Sequence, residues 1–442
     1  MPSAMSAALS RRQLLRSALG ASALGLGLAA CGGETTTSLP AAAPADLTGA
    51  TIRAMVNQPH VLAFTQLLAP AFEREFGGKL ETTAVPYDQL TSQQILDVQG
   101  GAGQFDVFDY FYFGLGALVD AGALVDLTEQ ATTDSSDFLP SVYDTYTLLD
   151  GRRYGVPFDG DVHVLYYNRE VFETYGLAPP NTWDEYDAAA RTITERSGGS
   201  VYGAVVEGQQ VPMILGCSFI NRLAGYGGAL VGPDGGPTLT SDAAQAALQH
   251  LIDVNPYALP TPLQIGFDQA NSAFLSGQAA MLDTWTDLGL KAQDPASSKI
   301  VDKWGVVPLP VGGSNTEHRT ALNAGFGLGV STAAADPAKA AAFISWATDP
   351  TRNLLLASTA GSGIDPARRS TLESPDYAKV SAPATDVIKA GLEGSPLVWP
   401  KDKDAPRLLQ DLVDQLALAI AGTQTPQQSL ANAQASWERA LA

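Results

Sequence analysis

Cysteine, histidine and positive charge are all scarce in this 442-residue chain, and each shortage excludes something. Two cysteines, Cys31 and Cys217, permit at most one disulfide, so stability has to come from a packed core. Four histidines and two cysteines leave no His/Cys cluster of the kind that builds a zinc centre. Lys and Arg number 26 against 46 Asp and Glu, for a formal charge of −20. Nucleic acid and anionic membrane surfaces both select basic patches, so neither is an expected partner. No G-x-S-x-G, no Cys–His pair with a local signature and no phosphate loop is present, which removes the commonest sequence-readable enzyme classes. What is abundant is apolar material, 45% of the residues, enough for two cores at this length.

The amino terminus is the most specific segment. SRRQLLRS places Arg11, Arg12 and Arg16 before the apolar run from Ala18 to Ala30, which ends in LAAC. The run is shorter than the ~20 residues that a membrane-spanning helix needs. It resembles a twin-arginine export signal followed by a lipobox, which implies cleavage after residue 30 and a lipid on Cys31. Cys217 would then be the only thiol, with no internal disulfide possible. Residues 31–46 are small, polar and proline-containing without hydrophobic periodicity, as expected of a flexible tether.

Beyond the tether, TIRAMVN alternates as a strand, and Phe64, Leu68, Phe72 and Phe76 then form one helical stripe. Pro70 lies inside that stripe and should kink the helix or shift its start. KLETTAV and FDVFDYF are further strand candidates, and the alternation of strands with helices predicts an α/β fold with a largely parallel sheet. Thr182 with Glu185 forms a capping box, Asp336-Pro337 starts another helix, and Thr425-Pro426 with Gln428 starts the last. The apolar side of that last helix reads Leu430, Ala433, Trp437 and Leu441. FDYFYFG, from Phe108 to Gly114, carries more aromatics than one buried strand end accommodates easily, so Tyr110 is read either as core or as a stacking platform.

In VPFDGDVHVLYYNREVF, residues Val156 to Phe172, a single extended strand would put Asp159, Asp161 and His163 on one face, opposite Phe158, Val162, Val164 and Tyr166. The polar face could meet a metal, a scissile bond, a bound small molecule or water. Three ligands from one strand rarely complete a metal shell. The two carboxylates of a glycosidase flank their substrate, whereas these two share a face.

The order of these pieces resembles the family 1 extracellular solute-binding proteins of ABC importers, the maltose-binding-protein-like, sugar-type group. The resemblance is carried by PFDGDVHVLYYNREVFET, by AFLSGQAAMLDTWTDL, by WGVVPLPVGG and NAGFGLGVS, and by GSGIDPARRS. It implies a two-lobed periplasmic-binding-protein fold of type II with hinge crossovers, lobe 1 being 47–158 plus 322–366 and lobe 2 being 159–321 plus 367–442. It also implies capture of a solute, a mono- or oligosaccharide first, in the cleft between the lobes, and delivery to the transmembrane subunits of an ABC permease. The protein would be a monomer anchored through its lipid on the extracytoplasmic side of the membrane, with no enzymatic activity, no cofactor and no metal. The residues placed at the ligand are Asn57, Gln58, His60, Tyr110, Asp159, Asp161, His163, Trp285, Asp287, Asn323, Arg368 and Trp399. A polyamine or a polyol phosphate in the same fold is the alternative solute, and an exported carbohydrate-active enzyme the alternative class.

Overall fold

The computed structural model describes residues 37–39, 45–130, 135–394 and 396–441. The export signal, Cys31 and most of the tether lie outside the described residues. Eight strands of more than two residues follow one another: β1 (Thr51–Asn57), β2 (Lys79–Val85), β3 (Val107–Phe111), β4 (Val156–Asp159), β5 (His163–Asn168), β6 (Met281–Trp285), β7 (Trp304–Val307) and β8 (Phe326–Val330). They form two separate sheets. One has the order β2-β1-β3-β8-β4 and the other β6-β5-β7.

The chain changes sheet between Asp159 and His163, and again between Val307 and Phe326. The expected single strand through residues 156–172 is therefore two, and Asp159, Asp161 and His163 do not share one strand face. Gly160 is the reason the break can be so tight: a Cβ there would stand 2.1 Å from the Pro366 carbonyl oxygen, so a larger residue could not pass. The expectation of a largely parallel sheet holds only for β1 with β2 and β3; β8 runs antiparallel to both β3 and β4, and the second sheet is antiparallel throughout. Strands that return from the other lobe arrive pointing the opposite way, a consequence of topology that hydrophobic period does not encode.

Local signals act as their chemistry suggests. A π-helical turn, Ala63–Leu68, runs directly into the α-helix Ala69–Phe76, and Pro70, which has no N–H to bond back into the preceding turn, lies where the two join. Thr182 Oγ1 accepts from Glu185 N at 3.2 Å while Glu185 Oε2 accepts from Thr182 N at 3.2 Å. Asp336 caps Pro337–Ala347, and Thr425 with Gln428 caps Pro426–Leu441. Leu441 departs from the expected stripe: at the frayed end of its helix it is 40% exposed, whereas Leu430, Ala433 and Trp437 are buried.

Helices cover both sheets, making two lobes around one continuous buried core. Among the described residues no helix is long and apolar enough to cross a membrane.

Candidate functional site

Three chain segments meet where the sheets exchange strands: the β4–β5 link, the approach to β8, and residues Gly361–Ser370. They surround a cavity of about 60 Å³. Asp159 and Asp161 come from the first segment, Ala324 and Phe326 from the second, Gly363 and Asp365 from the third. Asn57 and His60 enter from the end of β1, Trp285 and Asp287 from the end of β6. Pro59, Tyr87, Met213, Ile214 and Phe267 complete the wall, and Tyr87 and Met213 also line a larger hollow of about 300 Å³.

Backbone irregularity aims these groups. The register between β8 and β4 shifts between Phe326 and Gly327, a bulge that skips Phe158 and leaves Asp159 paired with Phe326 at the edge of the cavity. Ala324 has φ 67°, the left-handed region that costs an L-residue roughly 1–2 kcal/mol. The following Gly325 lies against the Tyr146 ring, where a Cβ would be 1.8 Å from Cζ. The turn is therefore held by packing rather than by its own preference.

Asp159, Asp161 and Asp365 are buried, and their carboxylate oxygens lie within 4.8 Å of one another, close enough to share a proton or a cation. Burial, then the charges of Asp159 and Asp365, push the Asp161 carboxyl well above the usual carboxylate range. Burial, then Asp159 and Asp287, do the same to Asp365. Burial also raises Asp159, although His60 opposes it. His60 places Nδ1 2.8 Å from Asp109 Oδ2 and Nε2 3.2 Å from Asp159 Oδ2. Burial disfavours its charge, but these two carboxylates outweigh that and push it up to about 10, so the imidazolium is the resident form.

Among the contacts that join the lobes, two lie at the cavity. Tyr87 Oη donates to Gln209 Oε1 at 2.7 Å across the cleft, and Trp285 Nε1 donates to the Asn323 carbonyl at 3.0 Å.

Of the residues chosen from sequence, Asn57, His60, Asp159, Asp161, Trp285 and Asp287 line the cavity. The others do not. Gln58 is exposed at the end of β1. Tyr110 is fully buried in the core, its hydroxyl donating to the Tyr146 carbonyl at 3.0 Å, because β3 is covered on both faces. His163 opens β5 and packs edge-on against Trp285 at 4.3 Å, its Nδ1 2.8 Å from Asn221 Nδ2; burial, then Arg222, keep it neutral. Asn323 donates through Nδ2 to Asn221 Oδ1, and Trp399 stacks on Phe113 while its Nε1 donates to Asn323 Oδ1. Both support the cavity wall from behind. Arg368 pairs with Asp137 and lies 3.9 Å over the Phe138 ring, away from the cavity.

Sequence reasoning missed Asp365, which was within the quoted GSGIDPARRS three positions before Arg368, and also Tyr87, Met213, Ile214, Phe267 and Phe326.

The family model for "Bacterial extracellular solute-binding protein" matches residues 57–352. A probable amino-acid ABC transporter periplasmic-binding protein of Sinorhizobium fredii is 25% identical over 411 residues, covering 90% of this chain and 91% of the relative. A mannitol-binding protein of Pseudomonas aeruginosa is 24% identical, covering 93% and 91%. The crystal structure of an ABC transporter solute-binding protein from Agrobacterium radiobacter K84, in complex with ribitol, superposes with a TM-score of 0.78 at 25% identity, over 89% of this chain and all of that one.

Proposed function

The chain belongs to the bacterial extracellular solute-binding proteins, and from that premise we propose that it captures a polyol or carbohydrate in the cavity between its lobes and presents it to an ABC permease. The relatives named for mannitol and ribitol support the ligand class. The single observation that carries the reading is the wall itself: buried carboxylates and Asn57 share one cavity with Trp285, Phe267 and Phe326. Hydroxyls donate to carboxylate oxygens, and the C–H faces of a sugar or polyol pack on aromatic planes.

Its mechanism is lobe closure. A ligand touches Asp161 and Asp365 on the crossover segments and Trp285 on β6 together only when the lobes meet. Its affinity therefore differs between open and closed states, and that difference drives the shift. The Tyr87–Gln209 bond joins the two sides of the cleft, as a closed form requires. We assign residues 47–158 and 322–366 to one lobe and 159–321 and 367–442 to the other, a division that the changes of sheet after Asp159 and before Phe326 support. The reading is of binding without turnover, which the family match supports.

A thermal-shift screen against sugars and polyols should give a stabilising ligand, worth about 2.7 kcal/mol at a hundredfold excess over Kd. Solution scattering should then show a smaller radius of gyration with that ligand than without. An unchanged radius at saturation rules out closure.

Cys31 carries the lipid that tethers the protein outside the membrane, a reading that rests on the LAAC sequence. Cys31→Ala should release soluble protein or leave unprocessed precursor; continued processing and membrane association would contradict it.

A further inference from the structure

The charges around the cavity do not balance. Five carboxylates, those of Asp109, Asp159, Asp161, Asp287 and Asp365, cluster there with two cations. His60 is engaged by Asp109 and Asp159. Lys291 stands 2.8 Å from Asp287 Oδ2 and 4.9 Å over the Phe267 ring. Among the described residues, no lysine, arginine or histidine lies within ion-pair distance of Asp161 or Asp365. Asp159 is already engaged on both oxygens, by His60 Nε2 and by the Asp365 backbone N–H.

Two more buried acceptors point into the same space. Asn57 Oδ1 and Asp287 Oδ1 have no hydrogen-bond partner, on residues 4% and 5% exposed. A buried acceptor without a donor is rare enough to mark where a ligand's donors belong.

Resting on the reading of the cavity as a polyol or carbohydrate site, we propose that its ligand is an aminated one, carrying a protonated nitrogen that docks between Asp161 and Asp365 while its hydroxyls reach Asn57 and Asp287. The protein already shows this mode of holding an ammonium, in Lys291 between a carboxylate and an aromatic face. The second carboxylate pair offers the same combination, with Trp285 and Phe326 as the nearby rings of the wall. A divalent metal fits less well. Calcium takes six to eight oxygens, and much of this wall is made by the side chains of Trp285, Phe326, Phe267, Met213 and Ile214, which offer it none.

The test uses the full mature protein and matched pairs of probes, D-glucosamine with D-glucose and 1-amino-1-deoxy-D-sorbitol with D-sorbitol, measured by calorimetry. The aminated member of at least one pair should bind about tenfold tighter or more, the gain of a charged hydrogen-bond partner over a neutral one. Asp161→Asn and Asp365→Asn, each checked by melting, should erase that preference, weakening the aminated member about tenfold more than the neutral one. If neutral members bind as tightly as aminated ones, the inference is overturned and the carbohydrate reading stands. If no member of either pair binds, both are overturned. If calcium chloride alone raises the melting temperature, EDTA reverses it and amines gain nothing, the acids serve a metal and the inference is again overturned.

Discussion

Replacing Arg222 with methionine is expected to cost about 3–5 kcal/mol of folding stability, the typical penalty for leaving a buried charge without its partner. Arg222 is fully buried and forks onto Asp283, with Nη2 2.9 Å from Oδ1 and Nη1 on Oδ2. Its guanidinium lies 4.6 Å over the Trp183 ring, and Asn221 Nδ2 donates to the same Asp283 oxygen at 2.8 Å. Asp283 sits in β6, two residues before Trp285, so this pair fixes the strand that presents one wall of the cavity. The double replacement of Arg222 by methionine and Asp283 by leucine should recover most of the loss, because it removes both charges together. Urea unfolding at constant m-value reads both outcomes. A single-variant loss below about 1 kcal/mol would mean that the pair is not what holds the strand.

Asp161→Asn is expected to act in opposite directions on binding and on stability. Losing a charged acceptor should weaken a bound sugar, polyol or amine by at least about tenfold. The unliganded protein should gain about 1 kcal/mol at pH 8, since the substitution removes a charge that the fold holds at a cost. The sign follows from linkage. Asp161 and Asp365 have folded values raised well above an ordinary carboxyl, so their favourable contribution is complete below that ordinary value and is lost as pH rises through the folded one. His60, raised from 6.5 to about 10, works in the same sense: its contribution is complete below 6.5 and gone above 10. Asp106 and Asp137 work in the other sense. Burial opposes their charge, but bonds from Arg53, and from Ser370 and Arg368, hold both carboxyls low, so what they contribute is lost as pH falls. Melting temperature against pH should therefore decline on the alkaline side in the wild type and decline less in Asp161→Asn. Parallel curves would show that Asp161 titrates alike in the folded and unfolded chain and is not raised by the cleft.

Much of this was legible before any coordinates. Caps, the first strand and helix, and the chain's passage between lobes near residue 160 follow from short-range chemistry and from the resemblance of one quoted stretch. Tyr110 shows where such reading stops. Every residue of β3 is buried, so alternation cannot separate a core tyrosine from a ligand platform. Asn323 and Trp399 reach the right neighbourhood but spend their polar atoms on each other. Asp365 lies in a segment without periodicity, and its importance comes from two aspartates some two hundred positions earlier in the chain; only the fold brings them together. His163 was misplaced because the chain leaves one sheet at Asp159 and starts the next four residues later, and a strand period cannot be extended across such a gap.

The indole of Trp285 has a consequence for how this protein can be watched. Its N–H is held by the Asn323 carbonyl from the approach to β8, its ring edge meets His163, and its exposure is 8%. Opening the lobes pulls that carbonyl away and admits water to the ring, which shifts the emission of a tryptophan toward the red and alters quenching by the neighbouring imidazole. The chain thus contains an unlabelled fluorophore at the contact that opening must break, so stopped-flow fluorescence can follow the rate at which the lobes close.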